Sequence, residues 1–419
     1  MGWKFYFDES FHDGNISVAN NGVVNICKAE VFDLYVGFFN GYNENNENGV
    51  WCKFLEFEQK YKNFYQLKDE QELKNSVIYR KNYEYGFSSM NRQAVNLYSD
   101  YFDLFDDPNI VINFCLISKT EIVTSELLKN MTIIGIHDYH ADSFRYSLTK
   151  FMFNYQNNAL FSRILDIKNK DDLKKCIYTL KRSVSLAKKY SKNVLRKKSE
   201  YAALNELYTL LDHMEINHFE ALNFKWKYED AFIGFNKLLY EREIEQKQVD
   251  LFIDNHSKTA VAAIKSSKYK SVNNVESKEI IGVRISDFFC NFLGELAWAL
   301  YRSLKEDLII DLSDFETYNY TQKHILPEKW FDLDERQFNL CLKIERIILK
   351  YHNYEWVGYD GIFCDYPIMV FGYMEYIYNY ENIEQYCQKT LSEHSELCNT
   401  YCCNKLISIF NRAGSKVAE

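Results

Sequence analysis

Proline and glycine are scarce, with 3 and 15 in 419 residues. That leaves little material for flexible linkers, so any sub-domains are expected to pack together rather than swing on hinges. No run of about twenty uninterrupted apolar residues occurs, which excludes an ordinary membrane-spanning helix. No export leader is legible ahead of the first strand-like segment. The eleven cysteines, an odd number, are then expected to be reduced thiols in a cytoplasmic protein. Catalytic signatures are missing as well. Without a Gly-X-X-X-X-Gly-Lys or Gly-X-Gly-X-X-Gly loop, a nucleotide-driven motor and a dehydrogenase are disfavoured. Without a Gly-X-Ser-X-Gly elbow, so is a serine hydrolase.

What is present is apolar and aromatic. The hydrophobic fraction is 47% and the aromatic fraction 17%, ample for a packed core. The length implies a main domain with insertions, or a second domain. Formal charge is −9, but the segment 168–198 holds twelve Lys or Arg against Asp171 and Asp172, a local +10 that leaves −19 for the rest. Lys181, Arg182, Lys188, Lys189, Lys192, Arg196, Lys197 and Lys198 are therefore candidate contacts for a nucleic-acid backbone, or else a solvated helix face.

Strand patterns are expected at 3–8, 22–28, 32–40 and 110–117, with an extended stretch at 73–79 and helices at 51–65 and 90–105. Residues 122–245 have helical periodicity. Strand character returns at 248–254 and near 279–283, and an apolar helix follows over 286–304. This order reads as an α/β fold, a mixed sheet flanked by helices. The implied divisions are a first core part at 1–121, a helical insertion at 122–245, a second core part at 246–305 and a helical C-terminal region at 320–419.

The chemistry lies at strand ends. Lys4-Phe5-Tyr6-Phe7-Asp8-Glu9-Ser10 is an apolar strand running into two carboxylates, and Val249-Asp250-Leu251-Phe252-Ile253-Asp254 is another that ends in an acid. Asp287 follows the apolar stretch that opens the long helix. Burying an acid is costly unless something pairs with it, and a divalent cation is one such partner. These acids are too far apart in sequence to form a local motif and meet only if the fold brings them together.

Phe5-Tyr6-Phe7-Asp8-Glu9-Ser10, Leu251-Phe252-Ile253-Asp254 and Gly282-Val283-Arg284-Ile285-Ser286-Asp287 together resemble the DUF3800 family, a bacterial family placed among the ribonuclease H-like folds. Glu72-Leu73-Lys74 resembles a further Glu-X-Lys element of that family. Three positions depart from its pattern: Phe11 stands where Gly is usual, Arg284 for Gln and Ser286 for Ala. The resemblance implies a ribonuclease H-like core that holds Mg²⁺ or Mn²⁺ on Asp8, Asp254, Asp287 and Glu72, with Lys74 against the scissile phosphate. It also implies hydrolysis of RNA or DNA and a role in phage defence or as a toxin-like effector. Glu9 ranks below the other acids because alternation turns it away from Asp8.

Other features read more plainly. His256 is a loop residue near Asp254. His137-Asp138-Tyr139-His140 is a polar loop entering a helix, and His394, Cys398 and Cys402 are one partly buried helix face beside Cys387. The alternative function is a non-catalytic scaffold that binds a protein partner or a second copy through Tyr366, Phe371, Tyr373, Tyr376, Tyr378 and Tyr380.

Overall fold

The computed structural model describes residues 2–412 except 13, 29–30, 44–46, 108, 137–139, 156–157, 194–196, 256–257, 267, 306–324, 351–356 and 360–362. The architecture is mixed α/β. Strands β1 (Trp3–Ser10), β2 (Leu34–Asn43) and β3 (Val111–Ser118) are rich in aromatic and β-branched residues, and β2 and β3 are almost wholly buried. A two-residue pair, β4 (Thr132–Ile133) and β5 (Met214–Glu215), stands apart. Strands β6 (Val249–Asp254), β7 (Ser271–Val275) and β8 (Val357–Tyr359) complete a six-stranded sheet of order β7-β6-β1-β2-β3-β8. Only β2 runs antiparallel to its neighbours; β1 pairs with β6, β6 with β7, and β3 with β8, in parallel.

Alternation along β1 decides which residues face which layer. Tyr6 joins Val36, Phe38 and Phe114 in the larger core, under the helices α1 (Glu47–Tyr65), α2 (Arg92–Phe102) and α10 (Ile281–Lys305) and the C-terminal helices α11 (Glu335–Lys350), α12 (Asp365–Tyr378), α13 (Ile383–Tyr386) and α14 (Leu391–Arg412). Phe5 and Phe7 face the other way, onto Phe232, Phe235 and Ala260 of the segment that includes α8 (Ile233–Glu241) and α9 (Lys258–Ser266). Helices α3 (Lys119–Leu128), α4 (Ala141–Asn154), α5 (Asn158–Leu165), α6 (Lys170–Ser191) and α7 (Lys198–Asp212) build a third core of their own. Among the described residues no helix is long and apolar enough to cross a membrane.

Four expectations need correction. The region 320–419 is not wholly helical, since Val357–Tyr359 pairs in parallel with β3 and extends the sheet. Residues 22–28 are not a strand: Asn25–Cys27 is a 3₁₀ turn, and the buried Val24 and Ile26 fill the helical core instead of joining the sheet. The stretch 73–79 carries a 3₁₀ turn at Asn75–Val77. Near 279–283 the chain is already entering α10, and the strand lies earlier, at Ser271–Val275. As an edge strand β7 needs no apolar face, so polar residues form it and the apolar Ile280, Ile281 and Val283 serve the helix.

Candidate functional site

Helix α10 lies flush on β1, and small groups make the contact. A Cβ on Gly282 would fall 2.2 Å from the Tyr6 ring, so only glycine admits this approach. Ser286 Oγ donates to the Tyr6 carbonyl at 3.1 Å and accepts from the buried Asn40 amide at 2.7 Å. Ser10 Oγ donates to the Cys290 carbonyl at 3.0 Å. These bonds fix the second and third turns of α10 against the carboxyl end of β1, and with them the relative placement of Asp287 and Asp8.

Asp8, Asp254 and Asp287 are each half-buried at the ends of β1 and β6 and in the second turn of α10. Because α10 begins at Ile281, Asp287 lies inside the helix and does not cap it. Burial holds the Asp8 carboxyl well above the usual carboxylate range, and the negative charges of Asp287, Glu9 and Asp254 push it the same way. Its Oδ1 accepts the Glu9 amide at 2.8 Å, which opposes the rise. Asp287 is pushed up to about 6, first by burial and then by Glu72 and Asp254, against Lys74 and the Asn291 amide. Asn291 Nδ2 donates to Asp287 Oδ1 at 2.8 Å and fixes its rotamer. Lys74 Nζ stands 3.7 Å from Glu72 Oε2 and is mostly exposed. The fold therefore gathers Asp8, Asp254, Asp287, Glu72 and Lys74, drawn from four separate stretches of chain, into one electrostatic neighbourhood.

The donor set is all oxygen, as hard divalent cations require. A cation would also relieve the repulsion that, with burial, raises the proton affinity of Asp8 and Asp287. Among the described residues, no three His, Cys, Asp or Glu side chains stand close enough to hold a metal ion as they are. The acids would have to draw in on binding. Cys290 is no competing soft ligand, since burial and the charges of Asp8 and Asp287 push its thiol well up and keep it protonated.

Positions 286, 284 and 11 each have a partner. Ser286 is the hydroxyl bonded to Tyr6 and Asn40. Arg284 is buried, 3.2 Å from Glu58 Oε2. Phe11 adopts φ +59°, the left-handed region that favours glycine, and its ring lies against Gly294, where a Cβ would come within 2.2 Å of it.

Glu9 turns to the opposite face, near Tyr35 and Tyr228. Of the basic residues on α6 and α7, Lys181 pairs with Asp212, Lys188 bonds Asn205 and covers Tyr208, and Lys197 pairs with Glu200 at 3.0 Å. Arg182, Lys189, Lys192 and Lys198 are exposed. Arg196, His137 and His256 lie outside the described residues. His394 is fully buried with both ring nitrogens engaged, Nδ1 with the Tyr376 hydroxyl and Nε2 with the Tyr386 carbonyl. Tyr366, Phe371, Tyr373 and Tyr376 are core residues, which removes most of the aromatic surface the scaffold reading needs. Sequence reasoning missed Asn291, whose signal is its place one turn after Asp287 on the same helix face. No family model, curated protein or solved structure matches this chain.

Proposed function

We propose that this chain is a divalent-metal-dependent nuclease with a ribonuclease H-like core, hydrolysing phosphodiester bonds of RNA or DNA. One observation supports the reading: acids from a central strand, its parallel neighbour and a late helix meet at one end of the sheet, where Asp254 and Asp287 help to raise the proton affinity of Asp8, and Glu72 and Asp254 that of Asp287. Asp8, Asp254, Asp287 and Glu72 would hold Mg²⁺ or Mn²⁺. Such ions, when bound, polarise the phosphodiester and lower the pKa of water. The protein's own groups do the rest. Lys74 offers a point charge to a phosphate oxygen, Asn291 orients Asp287, and the Ser286 and Ser10 bonds keep α10 from sliding on β1. A role in phage defence or as a toxin-like effector rests on the family resemblance alone.

The test is cleavage of end-labelled single-stranded RNA, single-stranded DNA and duplexes with Mg²⁺ or Mn²⁺, in wild type, Asp8→Asn and Asp287→Asn. Metal-dependent cutting that falls by about a thousand-fold or more in both variants is the expected result. Cutting that survives both substitutions, or no cutting together with no Mn²⁺ uptake in calorimetry, overturns the reading.

A further inference from the structure

The face of α10 that begins at Asp287 continues through Asn291, Glu295, Trp298 and Arg302, at helical intervals of three and four. Its far end is built differently from its head. The Arg80 guanidinium lies 4.0 Å over the Trp298 ring, and its Nε donates to Glu295 Oε1 at 3.1 Å. Arg302 lies 4.9 Å over the same indole. The Phe11 ring meets that indole edge-on at 5.8 Å. Both arginines reach solvent, the Arg80 side chain at 60% exposure.

Two guanidinium groups on one indole with one carboxylate between them leave a net positive charge. They also bring two like charges together, an arrangement that an anion relieves. Stacking pre-orders the planar forks, so little rotamer freedom remains to be lost when they bind. At ~1.5 Å of rise per residue, this end of α10 lies roughly 12–22 Å from Asp287. That distance is about four to six nucleotides of a stacked strand, at ~3.4 Å each.

We infer that Arg80 and Arg302, ordered on Trp298 and Glu295, form a clamp for a backbone phosphate of the substrate strand, about four to six nucleotides from the acid cluster. The inference rests on the nuclease reading and moves strand-gripping away from the basic segment of α6. That helix packs in a separate core, and several of its cations are already engaged. The clamp also gives the site a length requirement: a trinucleotide is too short to reach it.

Anisotropy of labelled 3- and 20-nucleotide RNA and DNA strands with Mn²⁺, on full-length protein carrying Asp8→Asn to prevent turnover, tests the clamp. Arg80→Gln and Arg302→Gln are each expected to weaken 20-mer binding about five- to ten-fold and to lower the log–log salt slope by about 0.7, the single-strand value per phosphate contact. Binding of the trinucleotide should not change, and neither should 20-mer binding by the paired substitution Arg182→Gln, Lys189→Gln. Among the described residues Arg302 makes no direct ion pair, so Arg302→Gln keeps the test open if Arg80→Gln fails to fold. Unchanged 20-mer affinity in Arg302→Gln, with a loss in the α6 variant, overturns the clamp and leaves the nuclease reading standing. No strand bound by the parent protein, together with no cleavage by wild type, overturns both.

Discussion

Phe11 has the backbone angle of a glycine and the ring of a core residue. Holding a non-glycine residue at φ +59° costs on the order of 1–3 kcal/mol, and the contacts with Gly294, Phe32 and Trp298 offset it. Gly294→Ala is expected to destabilise the protein by about 1–3 kcal/mol through overpacking. Much of that loss should be absent when Phe11 is already Gly. Denaturant unfolding of the two single variants and the double variant measures the coupling, and additive costs would count against it. Ser286→Ala should cost about 1–2 kcal/mol, because the Asn40 amide loses a partner in a dry setting. On the proposed metal-dependent reading, Mn²⁺ would have to displace protons that burial and neighbouring charge favour on Asp8 and Asp287, with Asp287 at about 6. Mn²⁺ affinity is therefore expected to rise at least about ten-fold between about pH 5.5 and 7.5. Calorimetry in buffers of different ionisation heat would register the protons released, and a pH-independent affinity would contradict the assignment.

Between α11, α12 and α14 lies a carboxyl group that, among the described residues, has no hydrogen bond to either oxygen. Glu345 is fully buried, and burial, then the Glu375 charge, push it up to about 9 against the opposing Lys405. Cys341 on α11 and Tyr401 on α14 also feel its charge. An acid whose folded pKa exceeds its unfolded value stabilises the fold fully at low pH and progressively less as pH climbs from about 4.5 toward 9. Glu345→Gln should therefore match wild type near pH 4 and exceed it by on the order of 2–4 kcal/mol at about pH 8. Thermal melts across that range check it, and a gap that shrinks as pH rises would refute it.

Elements such as β1 and β6 were legible in the sequence, because runs of Phe, Tyr, Val and Ile ending in an acid are both strand formers and an anomaly. Edge strand β7, Ser-Val-Asn-Asn-Val, has no such signature, since an edge obeys no burial pattern. The apolar run 22–28 misled because its hydrophobic residues serve the helical core and not the sheet. The acids of the candidate site were nameable from sequence as strand-end and helix-start anomalies. Their supporting bonds from Asn40, Ser286 and Asn291 were not, because they depend on how closely α10 approaches the sheet.

At the scale of the whole molecule, α4 belongs to two cores. Phe144, Leu148 and Met152 pack with the helical block, while Tyr146 and Phe153 pack with the sheet's larger core. The buried Asp365, at the start of α12, accepts from the Tyr146 hydroxyl and from Lys150, each at 2.9 Å. Asp365→Ala strands both donors and should cost about 2–4 kcal/mol, with faster amide hydrogen exchange in α4 and in the first turn of α12 before the rest of the sheet responds. Exchange that rises uniformly across the protein would argue against so local a role. The chain order of the sheet has a consequence for biosynthesis. Strands β1, β2 and β3 come first in the chain and can pair early, but the other side of β1 waits for β6, which begins more than two hundred residues after β1 and about 130 after β3. Until then β1 is an unpaired apolar edge on the emerging chain, a template for aggregation. Asp287 is made later still, so the acids of the candidate site cannot meet until both β6 and the second turn of α10 have been synthesised.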